Sequence, residues 1–317
     1  MLTKNKIEKL GALCVIISAV LFGLMPLLTK VAYQHGSNAY SVAFGRFFLG
    51  AIFLLILTMM IPNCSVKITR KQLLELLKIS FFYALMPILL YRSYDYIDSG
   101  LATTLHFTYP VVVVLIVAIF FKEHLDRKQV LCTIISIFGI VLLYTPDGQT
   151  STKGVILAIL SGVAYAVYIA RLGKSDVGRL NPLVLSFWIA CFSAFEIGII
   201  GFLTRNISFD MDKTAWAAEV VLALLTTVIA LVLFQRGVCL CGEIKASLLS
   251  SFEPLTGILV GIIIFHESIS AKELIGITAI LFAAILLVVP SNRKAENRSD
   301  STTTEIHCNS GRERKNQ

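Results

Sequence analysis

The sequence predicts an all-α integral membrane protein with ten transmembrane helices, arranged as two inverted five-helix repeats. Three observations support this fold class: the composition, a series of long apolar runs, and an internal duplication. The 317 residues are 56% hydrophobic and 15% charged, with a mean hydropathy of +0.79. Soluble domains carry about 25% charged residues. Because the apolar runs are continuous rather than alternating, they favour helices over a membrane barrel.

Ten apolar runs have the length that a membrane helix needs, since roughly 20 helical residues cross a bilayer core of about 30 Å. The first run follows three lysines, as a signal peptide would. No clear small-residue cleavage site ends it and another span follows, so we expect a retained helix. The predicted spans are 10–32, 40–61, 72–94, 101–121, 129–146, 154–173, 182–203, 214–236, 245–266 and 272–290.

The distribution of lysine and arginine between the short loops predicts the orientation. With the N-terminus inside, the inner segments before the tail hold 14 basic residues and the outer loops hold four. We therefore expect a multi-pass protein of the cell membrane with both termini cytoplasmic. Much of the net charge of +8 belongs to this pattern, so no nucleic-acid partner is expected.

The two ends of the chain differ from the spans. Residues 1–9 form a short basic N-terminal segment, and residues 291–317 are polar, basic and without periodicity. Such a composition cannot bury a core. We expect a disordered cytoplasmic tail, whose basic residues could touch anionic lipid headgroups.

The chain repeats itself at a nearly constant spacing. The run FTYPVVVVLIVAIFFKE ends at Glu123 and SFEPLTGILVGIIIFHE ends at Glu267, so that both the prolines (254 − 110 = 144) and the glutamates (267 − 123 = 144) are 144 apart. Ser18 matches Ser161 at a spacing of 143. The repeats are predicted as 10–146 and 154–290, with five spans each. Since five is odd, the second copy enters the membrane from the opposite side, which gives the inverted symmetry found in transporters.

This pattern resembles the EamA-like branch of the drug/metabolite transporter superfamily, a group of ten-helix carriers. The motifs are LFGLMPLLTK ending at Lys30, FGRFFLGA around Arg46, and the paired YP…KE and EP…HE segments. The resemblance covers about residues 10–290. It implies that the first helix of each half lines a central cavity, together with spans three, four, eight and nine. Glu253 stands before the second-half proline where the first half has Tyr109, and this difference could tune what is carried.

The sequence predicts a secondary transporter that moves a small organic metabolite by alternating access. We expect the solute to be an amino acid or a related compound and the direction to be export. The sequence leaves open whether a proton is coupled to transport. The sequence contains no GxxxxGK[ST] loop for ATP. A non-transporting membrane receptor or assembly factor is the main alternative, and an integral-membrane enzyme is a weaker one. No enzyme activity is expected, because no converging catalytic set is recognisable. The expected partners are a solute and the lipid bilayer, and the oligomeric state is left open.

Seven residues in the spans are candidates for solute binding. Ionisable groups in spans are costly in hydrocarbon and usually face protein or a cavity. His106 titrates near neutral pH and could bind solute or relay a proton. Glu253 could accept a proton, pair with a cationic solute, or lock the fold by bonding Arg236 or another base. For each candidate, packing within the bundle is the competing interpretation. The set is Phe22, His106, Tyr109, Tyr165, Tyr168, Ser251 and Glu253.

Six further charged residues are candidates for a gate or a charge-attracting role. Lys30 could attract an anion or reach the membrane surface. Arg46 is expected to hold helix ends by bonding carbonyls or another side chain. Tyr91, Arg92 and Tyr94 could line the outer mouth, and the two tyrosines are expected first in an interfacial belt. Glu123 and Glu267 are expected as caps or turn-locks first and gates second. The set is Lys30, Arg46, Arg92, Glu123, Arg236 and Glu267.

No cofactor and no metal site is predicted. Cys239 and Cys241 form a CxC motif, but a metal site needs further ligands and no nearby histidine completes one.

Overall fold

The computed structural model describes residues 4–62, 64–97, 99–143, 151–256 and 271–288. Within these ranges the regular secondary structure is helical, and no strand occurs. The predicted tail and Glu267 lie outside the described residues. Thirteen α-helices are described: α1 Lys4–Phe22, α2 Met25–Gln34, α3 Ala39–Met60, α4 Arg70–Ser93, α5 Ser99–His106, α6 Tyr109–Phe120, α7 Arg127–Leu143, α8 Thr152–Lys174, α9 Pro182–Leu203, α10 Lys213–Leu222, α11 Leu231–Cys241, α12 Glu243–Leu249 and α13 Ala271–Val288.

Seven of the predicted spans appear in the described residues as helices long and apolar enough to cross a membrane. They are Lys6–Gln34, Ala39–Met60, Arg70–Ser93, Ala102–Phe120, Thr152–Lys174, Pro182–Leu203 and Lys213–Cys241. The fifth predicted span is α7, the ninth begins with α12, and the tenth is α13. The protein is therefore an all-α membrane protein whose helices follow the ten predicted runs.

Several spans are interrupted, and local chemistry explains where. Pro26 lies at the start of α2 and Pro110 at the start of α6, where a missing N–H costs nothing. The first and fourth spans are therefore each two helices in series. The eighth span joins α10 to α11 through a π-helical segment, Ala223–Ala230. Helix starts are capped by side chains: Asn38 caps α3, Thr69 forms a capping box with Gln72 on α4, and Asp212 caps α10.

The packing of the helices follows the duplication. The four most extensive helix contacts pair α1 with α11, α3 with α9, α4 with α8, and α7 with α13. Each pair joins one repeat to the other. The symmetry that exchanges the two repeats maps each span onto the span five places along the chain. It therefore leaves two pairs unchanged, the second span with the seventh and the fifth with the tenth. It turns the pair of the first and eighth spans into the pair of the sixth and third. Among the described helices, the largest contacts are thus those between the two halves.

The equivalent helices run in opposite directions, as inverted repeats require. Lys245 in α12 bonds Glu8 at the start of α1 at 2.7 Å, and Glu243 in α12 contacts Lys174 at the end of α8 at 2.8 Å. The first span therefore leaves the end of the bundle at which the sixth span arrives. We call this the basic end; it includes 64–69, 121–126 and 175–181. The far end includes 35–38, 94–97 and 204–212.

Candidate functional site

A fully buried arginine organises the middle of the bundle. Arg46 of α3 is 0% exposed. Its Nε donates to Thr227 Oγ1 at 3.2 Å, and one terminal nitrogen donates to Tyr83 at 3.0 Å. The other contacts Tyr91 Oη at 3.3 Å and Met25 Sδ at 3.0 Å. These partners come from α2, α4 and the π-helical segment, so one side chain ties four elements together.

Arg46 has aromatic faces around it but no counter-charge in contact. Its guanidinium carbon lies 4.7 Å from the Phe47 ring centre and 5.9 Å from both the Phe22 and Tyr83 rings. Such cation–π contacts disperse a buried positive charge. Among the described residues Arg46 forms no ion pair within 4 Å. The described groups in direct contact with its charge are all neutral.

A tyrosine-rich cluster fills the space beside the arginine. Tyr165 and Tyr168 stack at 5.7 Å with an interplanar angle of 9°, and Tyr83 lies 4.5 Å from Tyr168. Tyr109 meets Tyr165 edge-on at 4.8 Å, and Phe234 stacks on Tyr165 at 5.9 Å. These rings come from α4, α6, α8 and α11, so both repeats contribute to one aromatic core.

His106 faces this cluster from the break between α5 and α6. Its ring stacks on Tyr165 at 5.6 Å, and its Nδ1 lies 2.9 Å from Ser161 Oγ. Ser161 donates its own proton to the Ala158 carbonyl at 2.6 Å, so it accepts from His106 Nδ1–H. The carbonyl of His106, freed by Pro110, packs against Gly162, where a Cβ would lie only 2.6 Å away. With the serine proton on the Ala158 carbonyl, a neutral His106 ring donates through Nδ1–H and has Nε2 as its acceptor.

Glu253 is the acid of the central cluster. It is 6% exposed and interacts electrostatically with Arg46 and with Tyr83, Tyr109 and Tyr165. No described cation lies within 4 Å of it. Its neighbour Ser251 is also fully buried, and the Ser251 hydroxyl has no partner among the described residues. An acid and a cation of opposite repeats therefore share one buried region without direct contact.

A polar chain extends the cluster toward the basic end. Ser186 donates to Gln235 Oε1 at 2.7 Å, and Gln235 Nε2 contacts Tyr168 Oη at 3.4 Å. All three side chains are buried. This chain orients the Tyr168 hydroxyl from α9 and α11.

The structure brings together all seven predicted solute-binding candidates in this buried region, with Arg46 from the second group. Phe22, His106, Tyr109, Tyr165, Tyr168, Ser251 and Glu253 are each buried. Whether they bind solute stays a prediction.

The other charged candidates lie apart from the central cluster. Lys30 is exposed on α2, and Glu123 is exposed and pairs with Lys174. Arg92 pairs with Asp95 at 3.3 Å and lines a cavity of about 260 Å³ at the far end. Arg236 is exposed on α11. The lock between Arg236 and Glu253 that the sequence allowed is not formed.

The interfacial role predicted for Tyr91 is wrong. Tyr91 is 0% exposed, because the third span turns its last full turn toward Arg46 rather than toward lipid. Tyr94, beyond it, is half-buried. A tyrosine near a helix end is typical of a membrane belt, and only the rotation of α4 decides otherwise.

Three functional candidates were missed from the sequence. Tyr83 bonds Arg46, Glu243 bonds Lys174, and Glu219 is 1% exposed in the eighth span. Glu219 had a usable signal, since an acid inside an apolar run is costly. Tyr83 had none, because a tyrosine in an apolar helix does not reveal its partner.

Comparisons with known proteins decide the family. The sequence pattern of the EamA-like transporter family matches residues 9–145 and 152–289. The chain belongs to the EamA-like transporter family. The two matched ranges coincide with the two halves of the bundle, so each half is one EamA domain.

Relatives in several organisms match this EamA-like protein along most of their length. An uncharacterized transporter of Archaeoglobus fulgidus is 27% identical, covering 87% of this chain and 95% of its own. An uncharacterized inner membrane transporter of Salmonella typhimurium, YicL, is 24% identical over 90% of this chain and 97% of its own. One crystal structure shares the fold with a TM-score of 0.71 at 16% identity, over 87% of this chain and 95% of that one. The protein is therefore a multi-pass membrane transporter.

Proposed function

We propose that this protein carries a small zwitterionic organic solute, of the amino-acid class, across the cytoplasmic membrane by alternating access. The orientation proposed has both termini in the cytoplasm, and the expected direction is export. The observation that carries the solute class is the buried arrangement of the basic Arg46 and the acidic Glu253, which form no ion pair with each other.

A zwitterion supplies a partner of opposite charge to both side chains at once. Its carboxylate is complementary to the Arg46 guanidinium, which offers a planar set of donors, and its ammonium group is complementary to Glu253. Buried charges are stable when paired. A solute carrying only one charge would leave the other protein group without a partner.

The aromatic composition of the cluster favours an organic solute of modest size. Binding sites for small molecules are mostly apolar and aromatic with a few placed polar groups. The cluster of Tyr83, Tyr109, Tyr165 and Tyr168 has this composition, and it lies between helices of both repeats, where inverted-repeat carriers bind their solutes.

The test is binding followed by flux. Purified protein is screened by thermal shift against amino acids, sugars, nucleosides and amines, and the hits are measured in proteoliposomes. We expect amino acids to stabilise the protein, and simple amines and carboxylates to do so less. No flux across the panel with folded protein would contradict the transport proposal and favour a receptor.

The substitution Glu253→Gln tests the role of the acid. We expect flux of the hit to fall at least about tenfold, because one lost charge-assisted bond is worth about 1.5–3 kcal/mol. Glu196→Gln is the matched control, since Glu196 is half-buried between α4 and α9 and its one hydrogen bond among the described residues is to Ser80, at 3.0 Å. Unchanged flux and unchanged pH dependence in Glu253→Gln would refute a solute or proton role for this acid.

A further inference from the structure

Glu219 in α10 is a second buried acid, and it lies at the far end rather than in the central cluster. It is 1% exposed. Its Oε1 accepts a hydrogen bond from Ser37 Oγ, in the α2–α3 loop, at 2.8 Å. The carboxyl packs directly on Gly45 of α3, where a Cβ would lie 3.1 Å from the Glu219 Cδ. Glycine at position 45 therefore makes room for the acid.

The second oxygen of this carboxyl has no donor. Glu219 Oε2 is buried without a hydrogen-bond partner among the described residues, and no described cation lies within 4 Å of the side chain. An ionised carboxylate here would be a buried charge held by one hydroxyl, which is a costly arrangement. A neutral carboxylic acid does not carry that cost.

The acids of the basic end are arranged differently. Glu75 pairs with Arg171 at 3.2 Å, and Lys174 bridges Glu123 and Glu243. Each of these acids has a fixed positive partner across a helix contact. The far end has mixed contacts. The reciprocal bonds at 2.9 Å between Ser41 Oγ and the backbone of Ser208 and the Ser37–Glu219 bond are uncharged, and His35 pairs with Asp212 at the surface. Glu219, unlike Glu75, Glu123 and Glu243, has no positive partner among the described residues.

We propose that Glu219 is a proton-binding site, and that closure of the far end requires its neutral form. The acid takes up a proton from water as α10 closes on the α2–α3 loop, and returns it to water when they separate. Within the proposed transport function, on which this meaning rests, the site would link far-end closure to a proton.

The test must distinguish the effect of Glu219 from that of the other titratable groups near this contact. None of them forms an ion pair or a hydrogen bond with Glu219. His35 pairs with Asp212 at 2.6 Å across the same contact. The Ala215 backbone N–H and the His35 ring hold the pKa of Asp212 below its usual range, so Asp212 stays ionised near neutral pH and His35 is the competing group. The titratable or charged groups on α2, α3, the adjoining loop and the start of α10 are Lys30, Tyr33, His35, Tyr40, Arg46, Asp212 and Lys213.

Hydrogen–deuterium exchange of the full chain in nanodiscs, measured across pH, tests the site. The readout is protection of 34–38 and 206–214 after correction for the intrinsic pH dependence of exchange. In the unaltered protein we expect protection to fall as pH rises, because deprotonation leaves an unpaired buried charge. In Glu219→Gln we expect high protection without this pH response.

Three further variants control the reading. His35→Gln should keep the pH response, since the response is assigned to Glu219. Glu196→Gln, a similar serine-bonded acid elsewhere, should also keep it. Ser37→Ala should lower protection without removing the response, which keeps the proposal testable if Glu219→Gln folds poorly. A response that survives in Glu219→Gln, or vanishes in His35→Gln, would overturn the assignment, as would a flat profile in the unaltered protein.

Flux in proteoliposomes is read separately from exchange. Solute flux with a flat exchange profile would reject the proton site and leave transport standing. A pH response at the far end that depends on Glu219, without flux of any solute, would support the proton site and reject transport.

Discussion

Arg46 shows how a cation is kept inside a membrane protein without an acid in contact. A charged side chain at membrane depth is costly, and Arg46 reduces that cost through two phenols, one hydroxyl, one thioether and three ring faces. Because none of these contacting partners is charged, the guanidinium has no anion in direct contact and can still attract one. The same contacts that stabilise the fold thus leave the charge available to a solute.

Arg46→Lys is expected to destabilise the protein by roughly 2–4 kcal/mol, since an ammonium group cannot reproduce the fork that reaches Thr227, Tyr83 and Tyr91 together and charged hydrogen bonds are worth about 1.5–3 kcal/mol each. Thermal unfolding in detergent measures this loss. Arg236→Lys is the control, because Arg236 is exposed in the eighth span. Equal, small effects for both variants would mean that the Arg46 bonds contribute little to stability.

The sequence predicts that Arg46 holds helices together, but it does not identify the residues that Arg46 bonds. An arginine inside an apolar run must bond something, and this much follows from composition. Tyr83, Tyr91 and Thr227 lie on two other spans, and their meeting depends on how each helix is rotated. Spans that are apolar on nearly all sides carry little periodic signal for rotation. That is why Tyr91 was predicted in a belt and Tyr83 was overlooked.

The π-helical segment Ala223–Ala230 makes the eighth span differ from its equivalent in the first repeat, the third span. From the N-cap to the arginine the third span advances by 92 − 69 = 23 positions, and the eighth span advances by 236 − 212 = 24 positions. A π-bulge accommodates one extra residue in an α-helix and is often found at functional sites. It explains why the repeat spacing is 143 at the caps and 144 at Arg92 and Arg236. Thr227, the Arg46 partner, lies within it.

Deleting Leu224 is expected to be tolerated, because removing one residue from a π-helical segment leaves a regular α-helix with both ends in register. Deleting Phe81, which lies 143 residues earlier and is likewise exposed, is the matched control in an unbroken helix. There the loss should turn the rest of α4 by about 100° and misplace its buried face. Size-exclusion profiles and thermal unfolding distinguish the two deletions.

If the deletion of Leu224 aggregated as readily as that of Phe81, the extra residue would not be accommodated by the π segment. The extra residue is visible in the sequence as a change of one in the repeat spacing, but the sequence does not show at which position it is inserted. The spacing changes somewhere between two matched positions, and only the backbone shows where. The breaks at Pro26 and Pro110, in contrast, are marked by residues whose effect on a helix is known.

Two lysines at equivalent positions of the repeats make different contacts at the two ends of the whole molecule. Lys174 joins the fourth, sixth and ninth spans at the basic end through Glu123 and Glu243. Lys30, 144 residues earlier at the end of the first span, is exposed and has no ion pair among the described residues. In this conformation the basic end is held by fixed charges. For a carrier that alternates, these pairs must part when that end opens.

Lys174→Gln is therefore expected to loosen the basic end alone. Glu243 is 6% exposed and would lose its cation, which costs about 1–3 kcal/mol for a buried acceptor left without a partner. Exchange protection of 121–126 and 242–245 should fall by about tenfold or more, while 34–38 and 206–214 should change little. Lys30→Gln is the matched control and should affect neither set. A uniform loss of protection at both ends would show that Lys174 stabilises the fold as a whole, and an unchanged basic end would show that its ion pairs do not hold that end closed.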